Sequence, residues 1–418
     1  MWLSIGLTLL GCDDELLQTS PTTDTVVSTD VTWYGDIEPV MNRVCWRCHD
    51  GGGIGNADFS TYESAAPQAD LIAGYVGIEA MPPAVANPSC AEYQGHEGMN
   101  ISSEEVQLFA DWAAGGAAEG DPADAVVPQD YALHLTDTNY ALPSPQHTVE
   151  IDDSWNAYRC FVVETDAVET LYVTGFDTIV DNPEILHHLL LFRDPDGDVG
   201  ESYGINDVSG GFPCENPIKG ADWEPLHAWG PGMPATEMPE GRGVKIEPTD
   251  TLVVQLHYYG DPAQTYSDAS GYDLRAVTEE LTPIYMEPLG PTGFSIPADE
   301  VESASDSLNN PYSVPLEIFG VFPHMHQLAV GYEMTVESPN GGSECVVASE
   351  RWDFHNQLTY MLEDPIRIEP EDSVSTRCTW DNTDANPNQP SDPPETVTYG
   401  ENTDQEMCFF LSYIGRAD

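Results

Sequence analysis

Basic residues are scarce: lysine and arginine together number 12 in 418 residues, against 72 aspartates and glutamates, for a formal net charge of −60. A surface of that sign repels phosphate backbones, which excludes nucleic acid as a partner. The acidic residues are spread along the chain and not gathered in one tail, so they read as a solvated surface and not as a binding device. Such a surface favours solubility and concentrates cations, metal ions included. Long apolar runs are also missing. No stretch of the sequence approaches the roughly 20 apolar residues that a membrane-spanning helix needs. The length of 418 residues excludes a single ordinary core and predicts two or three domains. A hydrophobic content of 40%, a quarter of it aromatic at 10%, is enough to bury several small cores.

What is present begins with a short apolar run, Trp2-Leu3-Ser4-Ile5-Gly6-Leu7-Thr8-Leu9-Leu10-Gly11-Cys12, followed by Asp13, Asp14 and Glu15. It is too short to span a bilayer and reads as an export signal. Leu9-Leu10-Gly11-Cys12 resembles a bacterial lipoprotein signal. That resemblance implies a leader over residues 1–12, a lipid on Cys12, and an exported bacterial protein anchored in the periplasm or at the cell surface. One departure is that no Lys or Arg precedes the apolar core. Residues 13–30, rich in Thr, Ser and Asp, read as a flexible tether.

A compact unit is predicted over 31–118. Its centre is Cys45-Trp46-Arg47-Cys48-His49, the C-x-x-C-H spacing that attaches haem c. Two thiols one helical turn apart can bond the two vinyl groups of a porphyrin while the adjacent imidazole reaches the iron. A zinc site or a thioredoxin-like dithiol is the competing reading. Met81, in Ala80-Met81-Pro82-Pro83, is the expected second axial ligand, with Met99 and His96 as alternatives. Ser102 and Glu105 form a capping-box pattern ahead of Val106, Leu108, Phe109 and Trp112, and Gly115-Gly116 end the helix. This stretch resembles the last helix of a class I cytochrome c domain, which implies a small all-α fold.

Past an acidic linker at 119–129 the texture changes. Segments such as 251–259, 316–321 and 332–337 are short, β-branched or aromatic, and bounded by Gly, Pro, Asn or Asp. That pattern predicts antiparallel β-sandwiches of jelly-roll type, one over 130–281 and one over 282–418.

Four elements of this β region carry metal-binding chemistry. His324 and His326 sit at i and i+2 on an extended segment, so both imidazoles face one way. His187 and His188 are adjacent on an apolar run and can share a metal only if the backbone is bulged there. His257 follows on a third strand, where alone it would read as a packed core histidine. Met407 precedes Cys408 near the end. A thioether is a poor ligand for zinc and a good one for Cu(I), so three imidazoles beside two imidazoles and a thioether argue for two coppers. His187-His188-Leu189-Leu190-Leu191-Phe192, Gln255-Leu256-His257-Tyr258, His324-Met325-His326 and Glu406-Met407-Cys408 together resemble the copper type II, ascorbate-dependent monooxygenases.

That resemblance, over roughly 130–418, implies an electron-transfer copper on His187, His188 and His257, and an oxygen-binding copper on His324, His326 and Met407. The two would face each other across a solvent-filled cleft, with Gln255 in a supporting role. The activity implied is hydroxylation of a C–H bond of a small molecule with O2, fed by ascorbate or another redox donor, the haem unit among them. The resemblance further implies disulfides Cys378–Cys408 and Cys160–Cys214. Cys90 and Cys345 are left without assigned partners. The peptide-hydroxylating members hold a substrate carboxylate with an Arg two before the H-x-H, and with an Asn and a Tyr two and four after the Met. Phe322, Phe409 and Leu411 stand there in this chain. A carboxylate would be costly to bury against them, so the expected substrate is neutral and not a C-terminal glycine peptide. His134, His147, His227 and His355 read as structural or surface residues, with His227 in a loop. A non-catalytic copper-binding or electron-transfer lipoprotein is the alternative reading. A sugar-binding sandwich would require the histidine clusters to be coincidental. Oligomeric state has no signature in the sequence.

Overall fold

The computed structural model describes residues 30–417 apart from 52–54, 56, 128–133, 154, 206, 215–222 and 401. Cys12, the leader and nearly all of the tether lie outside the described residues. No helix among the described residues is long and apolar enough to cross a membrane.

The N-terminal unit has its own core around Trp33, Ile37, Met41, Phe109 and Trp112. The helix Ser103–Ala114 forms where the capping box predicts it. Ser102 N–H donates to Glu105 Oε2 (2.8 Å), and Glu105 N–H donates to Ser102 Oγ (3.2 Å). Phe109 and Trp112, three apart, bury one face, and Gly115 caps the end. Helical backbone also runs through 33–49 and 62–77, but as short α, π and 3-10 stretches of which only the α-helix Ala69–Gly77 exceeds five residues, and a cytochrome c-like all-α arrangement is not evident. The reason lies in 79–100, where Pro82, Pro83 and Pro88 interrupt helix formation. The chain there runs onto the second β half instead. Asn87 N–H donates to Ala348 O (2.7 Å), Gln94 N–H to Met361 O (2.8 Å) and Tyr93 O–H to Val346 O (3.1 Å). A disulfide joins Cys90 to Cys345, the pair left unassigned by the sequence. Part of the linker packs back as well: Val126 N–H donates to the Glu38 carboxylate at 2.9 Å.

The β region has three main sheets. One is four-stranded and antiparallel, in the order Asn156–Val163, Thr251–Tyr259, Leu186–Asp194, Glu224–Trp229. A second, in the order Val301–Asn309, Ser373–Asp381, Ala329–Glu337, Ser343–Ser349, lies in the C-terminal half. The third has nine strands and runs through both halves. Its seam is the parallel pairing of Arg242–Ile246 with Thr282–Leu289, which in turn pairs antiparallel with Phe409–Arg416. The two expected sandwiches therefore share one continuous sheet, and their apolar side chains merge into one core. Arg242 pins the seam while buried. Its guanidinium donates to Arg416 O (2.7 Å), pairs with Glu317 at 3.3 Å and lies 5.0 Å above the Phe319 ring.

The Cys90–Cys345 bond spans 255 residues of sequence, so it removes much freedom from the unfolded chain. Replacing both cysteines by serine is expected to lower stability by about 2–5 kcal/mol. It should also make 79–100 the first segment cut in limited proteolysis. An unchanged urea midpoint and cleavage pattern would contradict the anchoring role.

Candidate metal centres

The strand Leu186–Asp194 carries the irregularity that two adjacent histidine ligands require. Its pairing with Thr251–Tyr259 slips between Leu186 and His188, so His187 leaves the alternation and joins His188 on one side. His257 is the register partner of His188. His188 Nδ1 lies 3.3 Å from both His187 Nδ1 and His257 Nδ1. Ligand nitrogens about 2.0–2.1 Å from one ion at near-tetrahedral angles are separated by about that distance. The other ring nitrogens agree with this reading. His257 Nε2–H donates to Asn156 Oδ1 (2.8 Å), which leaves its Nδ1 lone pair facing the cluster. Asn156 is oriented in turn by donating to Thr403 Oγ1 at 3.0 Å, across to the C-terminal half. Tyr158 stacks flat on the His257 ring at 4.1 Å. His187 Nε2 is buried without a hydrogen-bond partner in the structure. All three imidazoles are pushed well below the usual histidine range, first by burial and then by neighbouring histidines. Three neutral, convergent nitrogens form the donor set a soft-to-borderline metal ion takes.

His324 ends the strand Leu316–His324, and His326 follows in the turn beyond it. Each ring is fixed through Nδ1. His324 Nδ1–H donates to Gln357 Oε1 (2.6 Å), and His326 Nδ1–H donates to Gln405 O (3.1 Å). The Gln357 amide is oriented by its Nε2–H donating to Phe354 O at 2.9 Å. Both Nε2 atoms are thereby left for a ligand, the outer-shell arrangement common around metal-binding histidines. Met407 is buried and lines the same cavity as both rings. Burial pushes His326 down to about 3 and lowers His324.

Glu406 ties these pieces together. Its fully buried carboxylate accepts from His326 N–H (3.0 Å), Leu328 N–H (2.7 Å), Met407 N–H (3.2 Å) and Trp380 Nε1–H (2.9 Å). Burial pushes its carboxyl up to about 8 against the pull of those donors. Cys378–Cys408 closes on the other side of Met407, and Cys160–Cys214 braces the first half. Gln255 lines the cavity and donates through Nε2 to Cys214 O at 2.7 Å. Phe322, Phe409 and Leu411 form an apolar wall of that cavity, with Phe322 opposite Leu411 and His324 opposite Phe409 in the sheet.

The solvent-filled cleft expected between the two sets is replaced by contact. The His188 and His324 rings are 5.6 Å apart, and Phe354 of the C-terminal half stacks on His187 at 4.4 Å. The reason is the shared sheet and the 351–359 segment, which closes over the first set. His355 is exposed, in keeping with its surface reading, and stands edge-on to His187 at 5.6 Å. His227 lies in the strand Glu224–Trp229 and not in a loop, buried between Phe176, Tyr272 and Thr236. Its structural role stands. His134 pairs with Asp177 and His147 with the Tyr258 hydroxyl.

Residues 294–417 match the copper type II ascorbate-dependent monooxygenase, C-terminal domain. The two likenesses found by sequence support a copper monooxygenase. Over 232 residues the chain is 25% identical to peptidyl-glycine alpha-amidating monooxygenase A of Xenopus laevis, covering 53% of this chain and 23% of that protein. The chain thus spans under a quarter of that relative's length. Among solved structures, the infectious bursal disease virus VP2 subviral particle aligns over 69% of this chain and 73% of its own, at 10% identity. Its TM-score of 0.15 is too low to bear on the fold. The family's C-terminal model spans His324, His326, Met407 and Glu406.

The C-x-x-C-H turn stands apart from this match. Cys45 and Cys48 are unbonded, whereas the other cysteines among the described residues are all in disulfides. Burial pushes the Cys45 thiol up to about 12 and raises Cys48. His49 Nδ1–H donates to Ala57 O (2.8 Å), leaving Nε2 for an iron. Two unbonded thiols and an oriented imidazole are the groups that a thioether-linked haem would need. Met81, 39% exposed, and buried Met99 both line one cavity of about 240 Å³. His96 is engaged with Asn100 and packs against Tyr93.

Two expectations follow. His227 and His326 are held near 3 when folded, against about 6.5 for an unfolded imidazole. Below pH 6.5 the unfolded chain takes up protons that the folded chain refuses, so each residue removes about 1.4 kcal/mol per pH unit until pH nears 3. Glu406 acts oppositely between about pH 4.5 and 8, because the folded carboxyl keeps its proton longer. The histidines outnumber it, so urea unfolding of the metal-free protein should show falling stability from pH 6.5 to 5. Stability that is flat or rising would contradict neutral burial of these rings. Glu406→Ala orphans several buried N–H groups at about 1–3 kcal/mol each and should cost at least about 3 kcal/mol. A smaller loss in the same measurement would deny the carboxylate its central place.

Proposed function

We propose that this chain is an exported copper-dependent monooxygenase that hydroxylates a C–H bond of a small, neutral, non-peptide molecule with O2. The observation that carries this reading is that His188, one of three convergent imidazoles of one half, lines the same cavity as His324, His326 and Met407 of the other. His187, His188 and His257 would hold one copper, and His324, His326 and Met407 a second. These ions, when bound, supply one-electron redox chemistry and activation of O2. The chain's own residues do the rest. Asn156, Gln357 and the Gln405 carbonyl each take one imidazole proton and so aim the opposite nitrogen. Glu406 and Cys378–Cys408 hold Met407 from both of its neighbours. Phe322, Phe409 and Leu411 offer no partner to a charged group and desolvate the reacting bond, which favours an aliphatic or aromatic substrate. Gln255 contributes the polar atoms of the opposite wall.

The cavity in this arrangement is only about 30 Å³, room for little more than a water. A substrate of several heavy atoms enters when the 351–359 segment or the two halves move apart, and closure then excludes solvent. Cys45, Cys48 and His49 would carry a haem c, with Met81 or Met99 as its second axial ligand, and ascorbate or another one-electron donor would refill it. The three disulfides support an oxidising, exported setting. The N-terminal motif adds a lipid anchor at Cys12 to that reading.

The test is aerobic incubation of copper-loaded protein and reductant with a panel of small C–H donors, followed by mass spectrometry. Products one oxygen heavier are expected for neutral substrates, while an acylglycine should be turned over at least tenfold more slowly. Met407→Ala should lower turnover at least 100-fold with copper retained at the three-histidine set. Binding of two coppers without oxygen consumption on any substrate would point to a metal carrier instead. Efficient acylglycine turnover would overturn the substrate class.

A further inference from the structure

The turn after Glu224–Trp229 is held between the C-x-x-C-H turn and the support of His324. A Cβ built at Gly232 would lie 2.7 Å from Cys48 Sγ, and Arg47 Nη1–H donates to Gly232 O at 3.4 Å. On the other side, a Cβ at Gly230 would lie 2.4 Å from Gln357 O. No side chain fits at either separation, so two glycines allow three segments to touch. Two hydrogen bonds pin the turn: Thr359 N–H donates to Met233 Sδ (3.3 Å), and Trp229 Nε1–H to Met233 O (3.2 Å). Gln357 then accepts the His324 Nδ1 proton at 2.6 Å. From Cys48 to His324 the path is covalent except for two van der Waals contacts and that hydrogen bond. A branch runs from Gln357 back along the chain to Phe354, whose ring stacks on His187 at 4.4 Å, but it is three residues longer and ends in a ring contact where the first path ends in a hydrogen bond.

We propose that the Gly230–Met233 turn is the electron-entry port of this protein, coupling the Cys45–His49 turn to His324. The port rests on the reading of Cys45, Cys48 and His49 as a haem c attachment and of His324, His326 and Met407 as a copper site. Each event moves one electron from ferrous haem to the cupric ion on that set, with no bond made or broken. An external one-electron reductant of the ascorbate class restores the haem. Entry is therefore at the methionine-containing set, whereas the resemblance seen in sequence would place it at the three histidines. Gln357 acts as a positioning residue that aims His324 and closes the path.

The experiment uses the full chain with covalent haem and both coppers, the haem being reduced anaerobically by a flash. Haem reoxidation is followed by absorbance and the two cupric signals by freeze-quench paramagnetic resonance. Gly232→Asn keeps a residue that tolerates the left-handed backbone (φ +76) but wedges it against Cys48. Gly230→Ala wedges the other contact, so each variant tests the port alone if the other fails to fold. Gly241→Asn is the control, with φ +77 and nothing within 4 Å. Both port variants should slow haem reoxidation at least tenfold with unchanged haem spectrum and copper content, and the control should match the parent. In the parent, the cupric signal that Met407→Ala abolishes should disappear first. Rates within twofold of the parent in both variants, or earlier reduction of the three-histidine copper, overturn the port alone. A chain that attaches no haem overturns the haem reading and the port together.

Discussion

His188 Nδ1 lies 3.3 Å from two other buried imidazole nitrogens, and the three cannot satisfy one another. One proton can bridge one pair at most, and burial keeps the rings neutral. A shared cation would resolve this arrangement, and the surrounding residues leave the three nitrogens facing one point. Asn156 removes the wrong lone pair of His257, Tyr158 covers its face, and the slip at Leu186–His188 brings His187 to the same side. The dependence runs outward as well, because Asn156 is itself oriented by Thr403 of the other half. The first set is therefore shaped partly by the second half of the molecule.

The second set is organised by an inverse logic. Here a buried carboxyl group collects donors. Glu406 gathers the backbone of the H-x-H turn, the backbone of Met407 and the Trp380 indole, so two imidazoles and a thioether from distant segments share one cavity. A carboxylate without those donors would be costly to bury; with them it sets the relation of His326 to Met407. The continuous nine-stranded sheet and buried Arg242 then hold the two halves in register, and the Cys90–Cys345 bond holds the N-terminal unit against them.

Much of this was legible in the sequence where the relevant physics is local. Strand alternation alone says that His187 and His188 need a bulge to act together, and a bulge is there. The Ser102–Glu105 box and the apolar spacing behind it place a helix end to end. Other features depend on contacts that no local pattern encodes. Glu406 meets His326 across 80 residues and Gln357 meets His324 across 33. Glu406 carried a faint signal, an acid beside Met407-Cys408-Phe409-Phe410, whereas Gln357, Phe354 and His355 sit in a loop with none. Three prolines lie in 79–100, but nothing in the sequence says that the segment lies along the second β half. The shared sheet escaped for the same reason: a parallel pairing of 242–246 with 282–289 is set by tertiary packing and not by propensity.

The central claim is that this chain holds two coppers in chemically different sites. Metal analysis with copper K-edge X-ray absorption of the reduced, full-length protein tests it most directly. The account predicts two coppers per chain, nitrogen scattering from five imidazoles, and one sulfur scatterer that vanishes in Met407→Ala. A single metal per chain, a preference for zinc, or copper with no sulfur neighbour would contradict it.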